Sequence, residues 1–254
     1  MDFLIKCLIV CPLIFLGSFV DSVAGGGGII TLPAYMLAGL PVHMAQGTNK
    51  LVATCGSVTA SMKYFRTGNV MLRIALISAV GSIIGAVAGT NLALLIREET
   101  LEIVMMIVLP VVALFLTFNR NFGMKEKERK LAPMMENSTA FIIGLVIGCY
   151  DGLIGPGTGT FLIICFSGIL GLDLLVSGGC AKVSNLASNI ASALVFFLNG
   201  KADYLLFIPA AVFSIAGGYF GSRFAIKGGS KRIRSVIFVV LALLFAKMIY
   251  DYFC

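Results

Sequence analysis

The chain states one unusual pattern twice, and each time the pattern sets a lysine inside an apolar stretch. The first version starts at Asp21, passes through the glycines Gly25, Gly26, Gly27 and Gly28, and turns at Gly39-Leu40-Pro41. It ends on Gly47-Thr48-Asn49-Lys50. The second starts at Asp151, passes through Gly155-Pro156-Gly157-Thr158-Gly159, and turns at Gly171-Leu172-Asp173. It ends on Gly179-Cys180-Ala181-Lys182. An ionisable side chain in an apolar segment is costly and marks function by default. Any fold for this chain must house two of them in equivalent places.

The surrounding solvent is hydrocarbon. Apolar segments fall near 3–20, 28–40, 45–65, 71–96, 101–118, 138–154, 160–172, 178–199, 203–222 and 234–252. Charged residues make up 12% of the chain, and mean hydropathy is +1.01. Soluble domains carry about twice that charged share. Long apolar runs, rather than short alternating ones, predict helices and not a barrel. Residues 28–40 and 160–172 are too short to cross, because a span needs about 20 residues. Both follow a glycine cluster, which predicts broken or re-entrant helices. Unwound backbone at membrane depth is tolerated only where it lines a cavity or is buried in protein. Lys6, the apolar run after it and Ser22-Val23-Ala24 imitate a cleavable signal peptide. The same design returns at 139–155, so the first segment reads as a retained helix.

Asn119–Asn137 is the hydrophilic stretch, and it divides the chain into repeats at 1–118 and 138–254, joined by a charged linker at 119–137. A shift of 132 residues pairs Gly39 with Gly171, Leu40 with Leu172, Gly47 with Gly179, Lys50 with Lys182, Phe65 with Phe197 and Gly68 with Gly200. Upstream, the aspartates pair at a shift of 130, so the second glycine loop is longer. Cytoplasmic loops of membrane proteins are rich in Lys and Arg. Lys63, Arg66 and Arg73 surround Gly68, whereas the Gly200 loop has Lys201 beside Asp203. The acidic run Arg97–Glu102 corresponds to a stretch holding Arg223, Lys227, Lys231, Arg232 and Arg234. The bias flips between corresponding loops. The predicted fold is therefore an all-α, multi-pass integral membrane bundle of two inverted-topology repeats. The 60s loop, the linker and the 223–234 loop would be cytoplasmic, with both termini on the other side. Inverted repeats with discontinuous helices meeting at the midplane are a transporter architecture.

Each short helix starts at a glycine cluster, and a helix N-terminus offers unpaired N–H groups and about half a positive charge. Together with Lys50 and Lys182 these ends make a positive centre suited to a small oxyanion. The candidate substrate-binding set is Lys50, Lys182, Thr48, Asn49, Ser57, Asn185, Asn189, Gly25, Gly26, Gly27, Gly28, Gly157, Thr158 and Gly159. Asp21 and Asp151 would form ion pairs with the lysines, cap the short helices, or carry a coupling proton. His43, the single histidine, reads as a surface residue in a loop after Pro41. The seven cysteines read as small hydrophobes. With one histidine and no C-x-x-C, no metal is expected, and no cofactor either, since no G-x-x-x-x-G-K-[ST] loop is present to bind ATP. The basic excess of +7 sits in loops and reports orientation, not nucleic-acid binding.

D-S-V-A-G-G-G-G-I-I-T-L-P followed by G-T-N-K, then Y-D-G-L-I-G-P-G-T-G-T-F followed by A-K-V-S-N-L-A-S-N, resembles the TauE/SafE family of membrane permeases, also called the sulfite exporter or DUF81 family. The resemblance covers about residues 5–250. It implies a multi-pass inner-membrane carrier of a small anion, with sulfite, sulfoacetate and other organosulfonates as the family's assigned cargo. Ser177-Gly178-Gly179-Cys180-Ala181 departs from the more polar or His-containing stretch expected in relatives. The expected function is a secondary anion transporter working by alternating access, with the small anion and the lipid bilayer as partners and a homodimer left open. Two other classes remain: an anion channel or non-transporting sensor, and an intramembrane aspartyl hydrolase using Asp21 and Asp151 as a dyad. The hydrolase lacks a G-x-G-D motif.

Overall fold

A computed structural model describes residues 2–101, 103, 104, 107 and 133–253, with side chains described as far as 229. Most of the predicted linker and the apolar segment before it lie outside these residues. The described residues are helical and contain no strand. The helices are α1 (Phe3–Ala24), α2 (Gly28–Leu37), α3 (Val42–Arg66), α4 (Leu72–Leu95), α5 (Pro133–Leu153), α6 (Thr158–Gly168), α7 (Leu174–Leu198) and α8 (Tyr204–Phe253). Gly229, at φ 58°, breaks α8 into two helical pieces. α5 starts at Pro133, so the last residues of the predicted linker are already helical.

Among the described residues, four helices are long and apolar enough to cross a membrane: α1, α4, α7 and the first part of α8. The distribution of side chains is inside-out. Leu8, Leu76, Ile84, Val146, Leu205 and Ile208 are exposed, while Thr48, Ser78, Ser177, Ser184 and Ser214 are fully buried. Lipid tails are as apolar as leucine, so helices associate here through close packing and hydrogen bonds rather than by hiding hydrocarbon. The fold is that of a multi-pass membrane bundle.

The repeated glycines take matching places around α3 and α7. α3 and α7 each run for 25 residues. Gly39 and Gly171 turn the chain before them at φ 82° and 69°, and Gly68 and Gly200 turn it after them at φ 73° and 66°. L-residues avoid this left-handed region, which is why glycine occupies all four places. The starts are capped differently. Pro41 leads into α3, whereas Asp173 accepts hydrogen bonds from the amides of Leu175 and Val176 to cap α7.

α1 and α2 form a tight hairpin. Gly25, at φ 80°, donates its amide to the Asp21 carbonyl, and the chain reverses so that Gly27 lies on Gly17 and Asp21. α5 and α6 form the matching hairpin, turned by Gly155 and Gly157 at φ 97° and 83°. Tyr150 braces that turn by donating to the Pro156 carbonyl at 2.6 Å. The two tips meet. Gly25 lies directly against Gly159, and Gly28 lies against Pro156. The Thr160 amide donates to the Gly25 carbonyl, and its hydroxyl donates to the Ala24 carbonyl at 2.7 Å.

Around the tips, the halves exchange outer helices. Gly81, Gly85 and Gly89 of α4 lie on the backbone of α5, and Gly144, Gly148 and Gly152 of α5 lie on α4, with both chains advancing together. α1 runs likewise beside α8, where Gly217 and Gly221 rest on Phe15 and Phe19. The equivalent helices α3 and α7 run in opposite directions. Gly47, near the start of α3, sits under the Lys201 carbonyl, and Gly179, near the start of α7, sits under that of Asn69.

Candidate functional site

Both lysines are deep in the protein, Lys50 at 5% exposure and Lys182 at 1%. Each is held by the aspartate of the other half. Lys50 Nζ lies 2.7 Å from Asp151 Oδ2, and Lys182 Nζ donates to Asp21 Oδ2 at 2.6 Å. The lysines thus do not snorkel to an interface, and of the roles open to the aspartates the ion pairs are the ones formed. The centre holds two crossed, neutral pairs. Breaking one such buried pair by removing a partner costs about 3–5 kcal/mol. Asp21 and Asp151 are not paired with each other, because each carboxylate takes a lysine.

The pairs differ. Asp151 also receives Thr158 Oγ1 at 2.8 Å and Ser188 Oγ at 2.7 Å, so both of its oxygens are occupied. Asp21 has Lys182 as its side-chain partner. The residues equivalent to Thr158 and Ser188 in the first half are Gly28 and Gly56, which have nothing to donate.

A cavity of about 40 Å³ lies beside these pairs, where the α1–α2 tip meets α3, the Gly155 turn and α7. One water needs about 10–15 Å³ of such space, so the cavity suits a small hydrated solute. Of the residues named from sequence, Lys50, Asn49, Ser57, Asn185, Asn189, Thr158, Gly25, Gly27, Gly28, Gly159, Asp21 and Asp151 line it. Gly26, Gly157, Lys182 and Thr48 are not part of its lining. Lys182 stands behind Asp21 and reaches the site through that carboxylate. Thr48 faces another way: its hydroxyl donates to the Met44 carbonyl and accepts the Asp203 amide, tying α3 to the start of α8.

The two short helices are alike at their starts. Neither has a side-chain cap. At α6, the Thr158 amide donates to Gly155 and the Thr160 amide to Gly25. The start of α2 abuts the cavity through Gly27 and Gly28. At α2, the Ile29 amide donates to Gly26 and those of Ile30 and Thr31 to Gly27, and the start of α6 reaches the cavity through Thr158 and Gly159, so both helix starts line it.

Gln46 belongs to the lining and was missed. Its amide nitrogen donates to the Leu153 carbonyl, and its Oε1 is buried without a partner, as is Ser57 Oγ. Gln46, Lys50, Ala53 and Ser57 follow helical spacing, and that stripe was the available signal. Ser18, Ser22 and Thr31 add polar lining from the first hairpin.

His43 is not a surface loop residue. It lies in the first turn of α3 at 4% exposure, with Nε2 3.0 Å from the Ala93 carbonyl and Nδ1 3.1 Å from Glu98. Pro41 starts a helix rather than a loop, which carries His43 under the end of α4. Among the described residues, no cluster of three or more His, Cys, Asp or Glu side chains could hold a metal ion.

A bundle of membrane helices closed around paired charges and a small cavity is an architecture that membrane transport proteins use. Comparison with known proteins then gives the family. The chain matches the family described as "Sulfite exporter TauE/SafE" over residues 10–248, and it belongs to that family. It is 34% identical to the "Probable membrane transporter protein ORF9" of Sinorhizobium sp. over 239 residues, 93% of this chain and 90% of that one. It is 32% identical to the "Probable membrane transporter protein YfcA" of Escherichia coli strain K12 over 252 residues, 98% and 93% of the two chains. A "Probable membrane transporter protein" of Haemophilus influenzae is 31% identical over 237 residues, 93% and 92%. No solved structure matches this chain.

Proposed function

We propose that this chain is a secondary carrier moving a small anion, a sulfur oxyanion or organosulfonate, across the cytoplasmic (inner) membrane by alternating access. The observation that carries the reading is the small cavity, with amide and hydroxyl side chains in its wall, at the meeting of two hairpin tips beside two buried lysines. A tetrahedral or pyramidal oxyanion accepts many short hydrogen bonds. Asn49, Ser57, Asn185, Asn189 and the starts of α2 and α6 gather at one place. The lysines supply the charge once a carboxylate releases one.

The halves would lie inverted in the membrane. The opposite directions of α3 and α7, the parallel pairing of α4 with α5 and of α1 with α8, and the flipped loop charges all support this. Two inverted halves that touch at their tips can open the site to either side by movement at those tips.

The test is counterflow in proteoliposomes with labelled sulfite, sulfate, thiosulfate, taurine and acetate. A carrier shows saturating exchange for at least one sulfur anion. Lys50→Gln and Lys182→Gln should abolish that exchange while the purified proteins stay monodisperse. Flux that rises linearly with concentration would instead make the protein a pore. Unchanged exchange in both variants would remove the lysines from the site.

A further inference from the structure

We propose that the Asp21–Lys182 pair is the proton-operated switch of this carrier, while Asp151–Lys50 is a fixed anchor. The inference builds on the anion-carrier reading and adds its coupling ion.

The crossed pairs are built unequally. Asp151 is 2% exposed and takes Lys50, Thr158 and Ser188, so both of its oxygens are bound. The side chain of Asp21 is 22% exposed, and its carboxylate forms part of the cavity wall. Glycine replaces both hydroxyl donors in the first half, at Gly28 and Gly56, and both glycines line the same cavity. Both are closely packed, Gly56 on Ser214 and Gly28 on Pro156, so neither place supplies Asp21 with a hydroxyl.

The charged lining of the cavity consists of Asp21, Lys50 and Asp151. Lys50 and Asp151 cancel. Lys182 is fully enclosed behind Asp21. An arriving anion therefore meets a carboxylate first, with the cation that could hold it already taken. Like charges at close range in a poorly solvated site repel strongly. The conflict ends if Asp21 Oδ2 accepts a proton from water on the open side. The neutral acid releases Lys182, and the cavity gains one positive charge for the anion to meet. In the empty protein, Asp21 stands where the anion's charge will go.

Other groups around Asp21 do not do this work. On α3, Lys50 is bound to Asp151, and the Tyr64 hydroxyl donates to the Ser22 carbonyl. On α5, Asp151 is saturated. α2 sets Gly27 against Asp21, and α6 brings Gly159 to the neighbouring tip. α8 meets α1 through Ser214, Gly217 and Gly221, none of which titrates. One proton per anion is the resulting stoichiometry, and both would cross in the same direction.

Proton uptake on anion binding tests this without needing transport. Purified protein in weakly buffered detergent solution, with a pH-indicator dye, is titrated with sulfate and with methanesulfonate. Neither anion takes up protons near neutral pH. The wild type should take up one proton per anion bound, and its affinity should fall tenfold per pH unit once Asp21 is ionised. Asp21→Asn should bind with no proton uptake and with affinity independent of pH. Asp21→Glu should restore the uptake. Binding without proton uptake in the wild type, which needs no variant, would overturn the switch and leave the carrier reading intact. Uptake persisting in Asp21→Asn would overturn it as well. Failure of the wild type to bind either anion would overturn the carrier reading and the switch together.

Discussion

Gly25 and Gly39 have nearly the same backbone, at φ 80° and 82°, yet a β-carbon would fare differently at each. At Gly39 it would meet nothing within 4 Å. At Gly25 it would fall well inside 3.0 Å of the Gly159 carbonyl carbon and the Thr160 amide nitrogen, both backbone atoms of the opposing tip. Alanine in the left-handed region costs about 1–2 kcal/mol at either place. Gly25→Ala must also push the tips apart by roughly 1 Å to restore normal contact. Overpacking of this kind adds about 1–3 kcal/mol. Separating the tips also strains the hydrogen bond from Thr160, worth about 1 kcal/mol. The expected total is about 4 kcal/mol for Gly25→Ala against about 1 kcal/mol for Gly39→Ala. Gly159→Ala removes the backbone strain from the comparison, because Gly159 is an ordinary helical residue that meets Gly25 from the other side. Thermal unfolding of the three purified variants in one detergent gives the ranking. Gly25→Ala and Gly159→Ala should both melt far below Gly39→Ala. Equal melting of Gly25→Ala and Gly39→Ala would refute tip-to-tip contact.

Two further outcomes check the pairing and the orientation. Lys50→Met should destabilise the fold by about 3–5 kcal/mol by stranding Asp151, whereas the double variant Lys50→Met, Asp151→Leu should recover most of that loss, as replaced buried pairs commonly do; chemical denaturation of both decides it. In a variant whose native cysteines are changed to serine, single cysteines at Asn69 and Lys201 should react with an impermeant maleimide from opposite faces of the membrane, and labelling from one face would reject the inverted arrangement.

Much of the frame was legible because glycine and lysine are not interchangeable with anything else in a membrane helix. Gly39, Gly68, Gly171 and Gly200 stood out as repeated letters, and the structure gives each the positive φ that explains it. The short segments were legible from length alone. The partner of each lysine was not. Lys50 could as well have met Asp21 of its own half, because sequence fixes neither the rotation of α3 nor the side from which α5 arrives. Thr48 was misread for a related reason. It stands two residues from Lys50, and two residues carry a side chain more than halfway round a helix. His43 was misread because Pro41 was taken as a loop signal, although proline also suits the start of a helix.

The glycine ladders between α4 and α5 have a mechanical consequence. Where backbone rests on backbone, there is no layer of pliable side chains to shear, so the two helices behave as a single stave. α1 and α8 are joined in the same way. Each stave belongs to both halves at once, and neither half can swing as a free leaf. Yielding is left to the places where contact is narrow, chiefly the tips, where Gly25 touches Gly159 and Gly28 touches Pro156. A gate for the solute would therefore be a fingertip joint, with the outer wall standing still.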